Sequence, residues 1–98
     1  MFVNVSTFRF RSSEDLDRAF QAAEKELAPR WPQTSGLRAY YDVRTGPKTW
    51  VSVTVWDDEG AFQRSLQDIA AWMSATLAPL LAGAPERTSG VTMGQFQR

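Results

Sequence analysis

Residues 49–72 read TWVSVTVWDDEGAFQRSLQDIAAW. The stretch begins by alternating, with Val51, Val53 and Val55 on one parity and Trp50, Ser52, Thr54 and Trp56 on the other. A period of two in β-branched and aromatic residues predicts a strand over 48–56. Asp57 or Asp58 then offers an N-cap, and Glu59 suits the positive end of a helix dipole. Phe62, Leu66, Ile69, Met73 and Leu77 follow at helical spacing and make one apolar stripe. Three of the four tryptophans, Trp50, Trp56 and Trp72, belong to this strand-helix unit.

Working outward, residues 2–10 alternate in the same way. Val3, Val5 and Thr7 stand against Phe2, Asn4, Ser6, Phe8 and Phe10. Ser12 and Ser13 offer a second N-cap, and Leu16, Ala19, Phe20, Ala23 and Leu27 form a helical face. Pro29 ends that helix, and a loop with two prolines and a glycine runs to Gly36. Residues 37–45 predict a strand joined to the next through the turn RTGPK, which makes an antiparallel hairpin. Pro79 kinks the end of the second helix or restarts a short turn, 83–90 is read as loop, and a short strand is expected over 91–96. The order is βαββαβ. With short connections and right-handed crossovers it predicts the ferredoxin-like α+β layout, a four-stranded antiparallel sheet with two helices on one face. At 98 residues the expectation is a single domain, 1–98.

Composition removes several function classes. Lys plus Arg balances Asp plus Glu at 11 each, so nothing draws the chain to nucleic acid or acidic lipid. No apolar run approaches the ~20 residues of a membrane span, and the alternating N-terminus is unlike a signal peptide. A cytoplasmic location is the expectation. The chain has no cysteine and no histidine. Thiol chemistry, Ser-His-Asp catalysis and the usual zinc sites are therefore excluded within the chain. Asp57, Asp58 and Glu59 are explained as capping and dipole residues, so no metal site is expected.

The two predicted central strands share a contrast. Each has a smooth valine face and a face with aromatics at its ends and small polar groups between. If like faces align, one side of the sheet is a hollow with an aromatic rim over Asn4, Ser6, Ser52 and Thr54. The other side is a plain apolar packing surface. Two helices cover only one face of the sheet, and a second copy covers whichever face they leave open. Burying about 400 Å² on each copy contributes roughly 20 kcal/mol gross, against association costs of about 4–15 kcal/mol. A homodimer through the sheet face follows, with strand edges or the C-terminal tail adding to it.

The segment WVSVTVWDDEGAFQRSLQD, with the six-element order, resembles the antibiotic-biosynthesis-monooxygenase-like family of the dimeric α+β barrel superfamily. The resemblance implies a homodimer whose two sheets form a barrel, with one pocket per subunit between sheet and helices. It also implies oxidation of a planar aromatic or quinol-type substrate without a cofactor. Haem-degrading members pair a first-strand asparagine with a second-helix tryptophan and an iron-ligating histidine. Asn4 matches the asparagine, Ser65 stands near the tryptophan place, and no histidine exists here.

On this reading Asn4 and Trp56 are the candidate catalytic residues. Ser6, Phe8, Trp50 and Trp72 are candidates for binding a small planar apolar ligand. Asn4 is either a satisfied core amide or a donor to a substrate oxygen. Trp56 either packs strand on helix or walls the pocket, and Trp31 anchors its loop. Arg38, Tyr40, Asp42 and Arg44 share one face of the second strand and read as a solvated or interfacial ladder. Two other functions remain open: a non-catalytic dimeric binding protein, and a proton-transfer enzyme using Tyr41 or Asp42.

Overall fold

A computed structural model describes residues 1–98. Its elements run β1 (Phe2–Arg9), α1 (Ser13–Glu26), β2 (Leu37–Gly46), β3 (Thr49–Trp56), α2 (Glu59–Trp72) and β4 (Glu86–Val91). The strands form one antiparallel sheet in the order β2-β3-β1-β4. This is the ferredoxin-like α+β layout that the sequence predicts. No helix is long and apolar enough to cross a membrane.

The helices begin at side-chain caps. Ser12 Oγ accepts from the Asp15 N–H at 3.1 Å, and Asp58 Oδ1 accepts from the Ala61 N–H at 2.8 Å. Asp58 is thus the cap of α2, while Asp57 pairs with Arg38. Pro29 and Pro32 lie in a 3-10 helix, Ala28–Gln33, where the sequence predicts loop. Past α2, Pro79 has no N–H to extend the ladder. The chain widens into a π-helical turn over Met73–Leu77 and then tightens into a 3-10 turn over Ala78–Leu80.

One boundary needs correction. The last strand is Glu86–Val91, five residues before the predicted 91–96. Its sequence, ERTSGV, is polar because β4 is an edge strand whose residues are all exposed. Hydrophobicity therefore does not mark it.

Register decides the rest. Phe2 pairs with Trp56, Asn4 with Thr54, Ser6 with Ser52 and Phe8 with Trp50. Directly opposed residues share a face, so the aromatic-rimmed faces of β1 and β3 coincide. The helices cover that face. The result is two apolar clusters in place of one continuous core. Phe8, Phe10 and Trp50 pack with Leu16, Ala19, Ala23, Leu27, Leu77 and Leu81. Phe2, Trp56, Ala61 and Phe62 form the second cluster. Trp50 and Trp56 lie about 20 Å apart along β3 at the usual strand rise. Only Ser52 and Thr54 stand between them on that face.

The opposite face carries Val3, Val5, Val51, Val53, Val55, Ala39, Tyr41 and Val43, and no element of the chain covers it. Tyr41 is 62% exposed and Val43 47%.

Gly36 fixes the entry into the hairpin. It has φ +83, and a Cβ there would lie 2.5 Å from the Ala61 Cβ in the first turn of α2. Its carbonyl also accepts the Asp57 N–H at 2.8 Å. Backbone strain and overpacking act together, so Gly36→Ala is expected to destabilise by at least about 1–3 kcal/mol. Urea unfolding measures this, and a change below about 0.5 kcal/mol counts against the contact.

Candidate active site

Between the two clusters the helices stand off the sheet and leave a hollow of about 90 Å³. Its floor is Asn4 and Ser6 from β1, Ser52 and Thr54 from β3, and Tyr40 and Asp42 from β2. Phe8 and Trp50 close one end, and Trp56 and Phe62 the other. Ser65, Leu66, Ile69, Trp72 and Met73 roof it. Leu66, Ile69 and Met73 belong to the helix stripe yet are only half-buried, because the space beneath them is not filled. One carboxylate, Asp42, and one cation, Arg87 of β4, belong to the lining.

The volume limits what enters. Several waters fit, since one needs ~10–15 Å³ by this measure, but an apolar cavity of about 150 Å³ is what takes up benzene. A ring ligand must therefore use adjoining space as well. A polar groove of about 530 Å³ lies next to the hollow, and Trp31, Ser65 and Ile69 line both. Arg30 and Arg64 stand in that groove and make no ion pair.

The polar groups of the hollow are incompletely paired. Asn4 and Ser6 are each 4% exposed. Asn4 Nδ2 donates to Ser6 Oγ at 2.8 Å, and Asn4 Oδ1 has no partner. A hydroxyl both donates and accepts, so a half-turn of the amide would present a donor instead. Trp50 Nε1 is buried without a partner, and so is Asp42 Oδ1. The other Asp42 oxygen accepts from the Tyr40 hydroxyl. Burial, then that hydrogen bond and the Asp42 charge, push the Tyr40 phenol well above the ordinary tyrosine range. The nearby Trp31 indole pulls slightly the other way, although its Nε1 does not reach hydrogen-bond geometry. Tyr40 is a neutral donor at physiological pH. The Trp31 ring packs on it at 5.3 Å.

No protein-family model matches the chain, and no curated protein matches it. Solved structures do. A dimeric ferredoxin-like protein from an uncultured marine organism is 17% identical, with a TM-score of 0.80 over 99% of this chain and 91% of that one. The ActVA-Orf6 monooxygenase of Streptomyces coelicolor, in complex with nanaomycin D, is 19% identical, with a TM-score of 0.75 and coverage of 99% and 91%. SnoaB, a cofactor-independent oxygenase of Streptomyces nogalater, is 17% identical, with a TM-score of 0.74 and coverage of 99% and 97%.

The chain has the fold of the antibiotic-biosynthesis-monooxygenase-like proteins. Proteins of unknown function share it too, among them one from Nitrosomonas europaea. At these identities the likeness establishes architecture alone.

Within this monooxygenase-like fold, Asn4, Ser6, Phe8, Trp50, Trp56 and Trp72 all line the one hollow. Their surroundings differ. Trp56 is 3% exposed, packs on Phe62 at 5.8 Å and donates its Nε1–H to Thr54 Oγ1 at 2.8 Å. It packs strand on helix and walls the hollow at once, with no free donor. Trp72 is half-buried and its indole N–H is taken by Glu26. Trp50 keeps its donor free.

The sequence pattern puts Tyr40 and Asp42 on a solvated or interfacial ladder, with Asp42 otherwise a candidate only for a proton-transfer enzyme. The arginines at the ends of that ladder do turn outward, Arg38 to Asp57 and Arg44 to Asp17, while the middle pair faces the hollow. The available signal was the hairpin. It sets Tyr40 opposite Thr54 and Asp42 opposite Ser52, on the face already read as the floor. Tyr41, on the other parity, points to the uncovered face. Arg87 carried no signal, because its strand was misplaced.

Proposed function

We propose that the chain is a cofactor-independent monooxygenase-like enzyme that oxidises a planar phenol- or quinol-type ring held between sheet and helices. The observation that carries this reading is the group of unpartnered buried atoms Asn4 Oδ1, Asp42 Oδ1, Trp31 Nε1 and Trp50 Nε1 around one hollow. Each such atom costs about 1–3 kcal/mol when left dry. Four in one place are a large fraction of the roughly 5–15 kcal/mol that holds a domain together. Groups so expensive make sense where a ligand or bound water satisfies them. Two acceptors and two donors, set in apolar and aromatic walls, complement a ring that carries hydroxyl and carbonyl oxygens.

The chemistry balances without a reductant or metal. A phenol and O₂ give a quinone and water. One oxygen atom joins the ring, and the other leaves as water with the hydroxyl hydrogen and a ring hydrogen. The substrate supplies all the electrons. The chain must hold the ring, exclude bulk water and stabilise charge on the substrate oxygen. Asn4, braced by Ser6, hydrogen-bonds that oxygen. Trp50 donates to a second oxygen. Phe8, Trp56 and Trp72 fence the ring, whose remainder extends past Trp31 into the polar groove. Two structures of this fold described as a monooxygenase with nanaomycin D and as a cofactor-independent oxygenase agree with the reading.

The acting unit is a homodimer through the valine face. The uncovered face and the exposed Val91, Met93 and Phe96 beyond and at the end of β4 support it, as does the dimeric description of one structure with this fold.

Oxygen uptake with a panel of hydroquinones, naphthols and hydroxylated anthrones tests the reaction. The expected result is one O₂ consumed per quinone formed, with one labelled atom in the product from ¹⁸O₂. Uptake no greater than the protein-free rate across the panel, with tight binding of a panel member, would instead make the chain a binding protein. Val53→Arg, on the uncovered face of a central strand, tests the assembly. Light scattering should read two chains for the parent and one for the variant. A single-chain mass for the parent overturns the dimer.

A further inference from the structure

We propose that Asp42 is the base of this site and takes the proton of a ring hydroxyl on its free Oδ1. The proposal rests on the reading of the hollow as a site for a hydroxylated ring.

Asp42 Oδ1 is buried, lines the hollow and has no partner. No cation forms an ion pair with the carboxylate: Arg38 and Arg44 on the same strand pair with Asp57 and Asp17, and Arg87, the one cation of the lining, makes no ion pair. Asp42 is half-buried as a residue, and a buried carboxylate oxygen left unpaired is costly. Structural packing gains nothing from it, whereas a proton acceptor for a bound ligand needs that arrangement. Tyr40 is the positioning residue. By donating to Oδ2 it decides which oxygen faces the hollow, and the Trp31 ring, tilted against it at 5.3 Å, holds the phenol. Because Tyr40 stays neutral, it does not compete as a base. Trp50, which lines a neighbouring cleft together with Asp42, brings a free N–H that favours negative charge on a ligand oxygen.

In the step, the substrate O–H bond breaks and the proton bonds to Asp42 Oδ1. The electron pair stays on the substrate oxygen. The phenolate is the electron-rich form that O₂ oxidises, and the proton leaves in the water product, which restores the carboxylate.

Asp42→Asn preserves shape and keeps an acceptor for Tyr40. With a hydroquinone turned over by the parent, kcat should fall by about 100-fold or more while KM moves less than about threefold. A kcat within threefold of the parent overturns the proposal. A second measurement does not depend on oxidation. By calorimetry the parent should bind 1-naphthol at least about tenfold more tightly than its methyl ether, which offers no proton, and Asp42→Asn should close that gap. Equal affinities in the parent, or no binding of either compound, also overturn it. A naphthol preference without any oxygen uptake would leave Asp42 as the ligand's acceptor and sink only the oxygenase reading. If Asp42→Asn does not fold, Asp42→Ser, smaller and without the carboxylate, takes its place.

Discussion

Phe8 and Trp50 at one end of the central strand pair, and Phe2 and Trp56 at the other, hold the helices away from the sheet. The β1–β3 register makes this happen, because it sets large side chain against large and small polar against small. Shifting one strand by a single residue would bring valines to the helix side and turn the polar floor outward. A close-packed helix layer would then meet a smooth surface and no hollow would form. Indole serves here as a prop: it is wide and rigid, and its edge nitrogen is either satisfied locally, as in Trp56, or left for something else, as in Trp50.

That geometry divides the apolar interior in two and leaves polar atoms at the midpoint. The division costs stability twice, once through unfilled space and once through unpaired groups. In a chain of 98 residues such a cost is not small. The fold offsets it at the ends of the sheet, where Phe10 stacks on Trp50 at 6.1 Å and Phe2 meets Phe62 at 5.5 Å. It also ties down the segments that bound the hollow, by the caps at Ser12 and Asp58 and by Gly36 pressed against Ala61. The widened turn at Met73–Leu77 lies at the roof, where Met73 and Leu77 reach the hollow.

Much of this was legible in the residues. Alternation in β1 and β3 specified both faces, and helical spacing in α2 identified the roof. Asn4 drew attention because an amide is out of place in a central strand. The misplaced elements share a cause. Tyr40 and Asp42 sit between two arginines, and in sequence a charged neighbour looks like solvent; only pairing with β3 turns the middle of that strand inward. Residues 86–91 look like loop, since an edge strand has no need of apolar side chains, whereas VTMGQF imitates a strand. The size of the hollow was beyond reading, because it depends on how far the aromatic props lift the helices.

The central claim is that Asn4 and Ser6 are kept for a ligand and not for the fold. Urea unfolding of the double variant Asn4→Leu, Ser6→Ala, read beside its affinity for 1-naphthol, tests this most directly. Both partners become apolar, so no orphan group is created. Stability equal to the parent or higher by up to about 1–3 kcal/mol is expected, together with loss of ligand binding. A variant less stable by more than about 2 kcal/mol, or one that binds as the parent does, would contradict it.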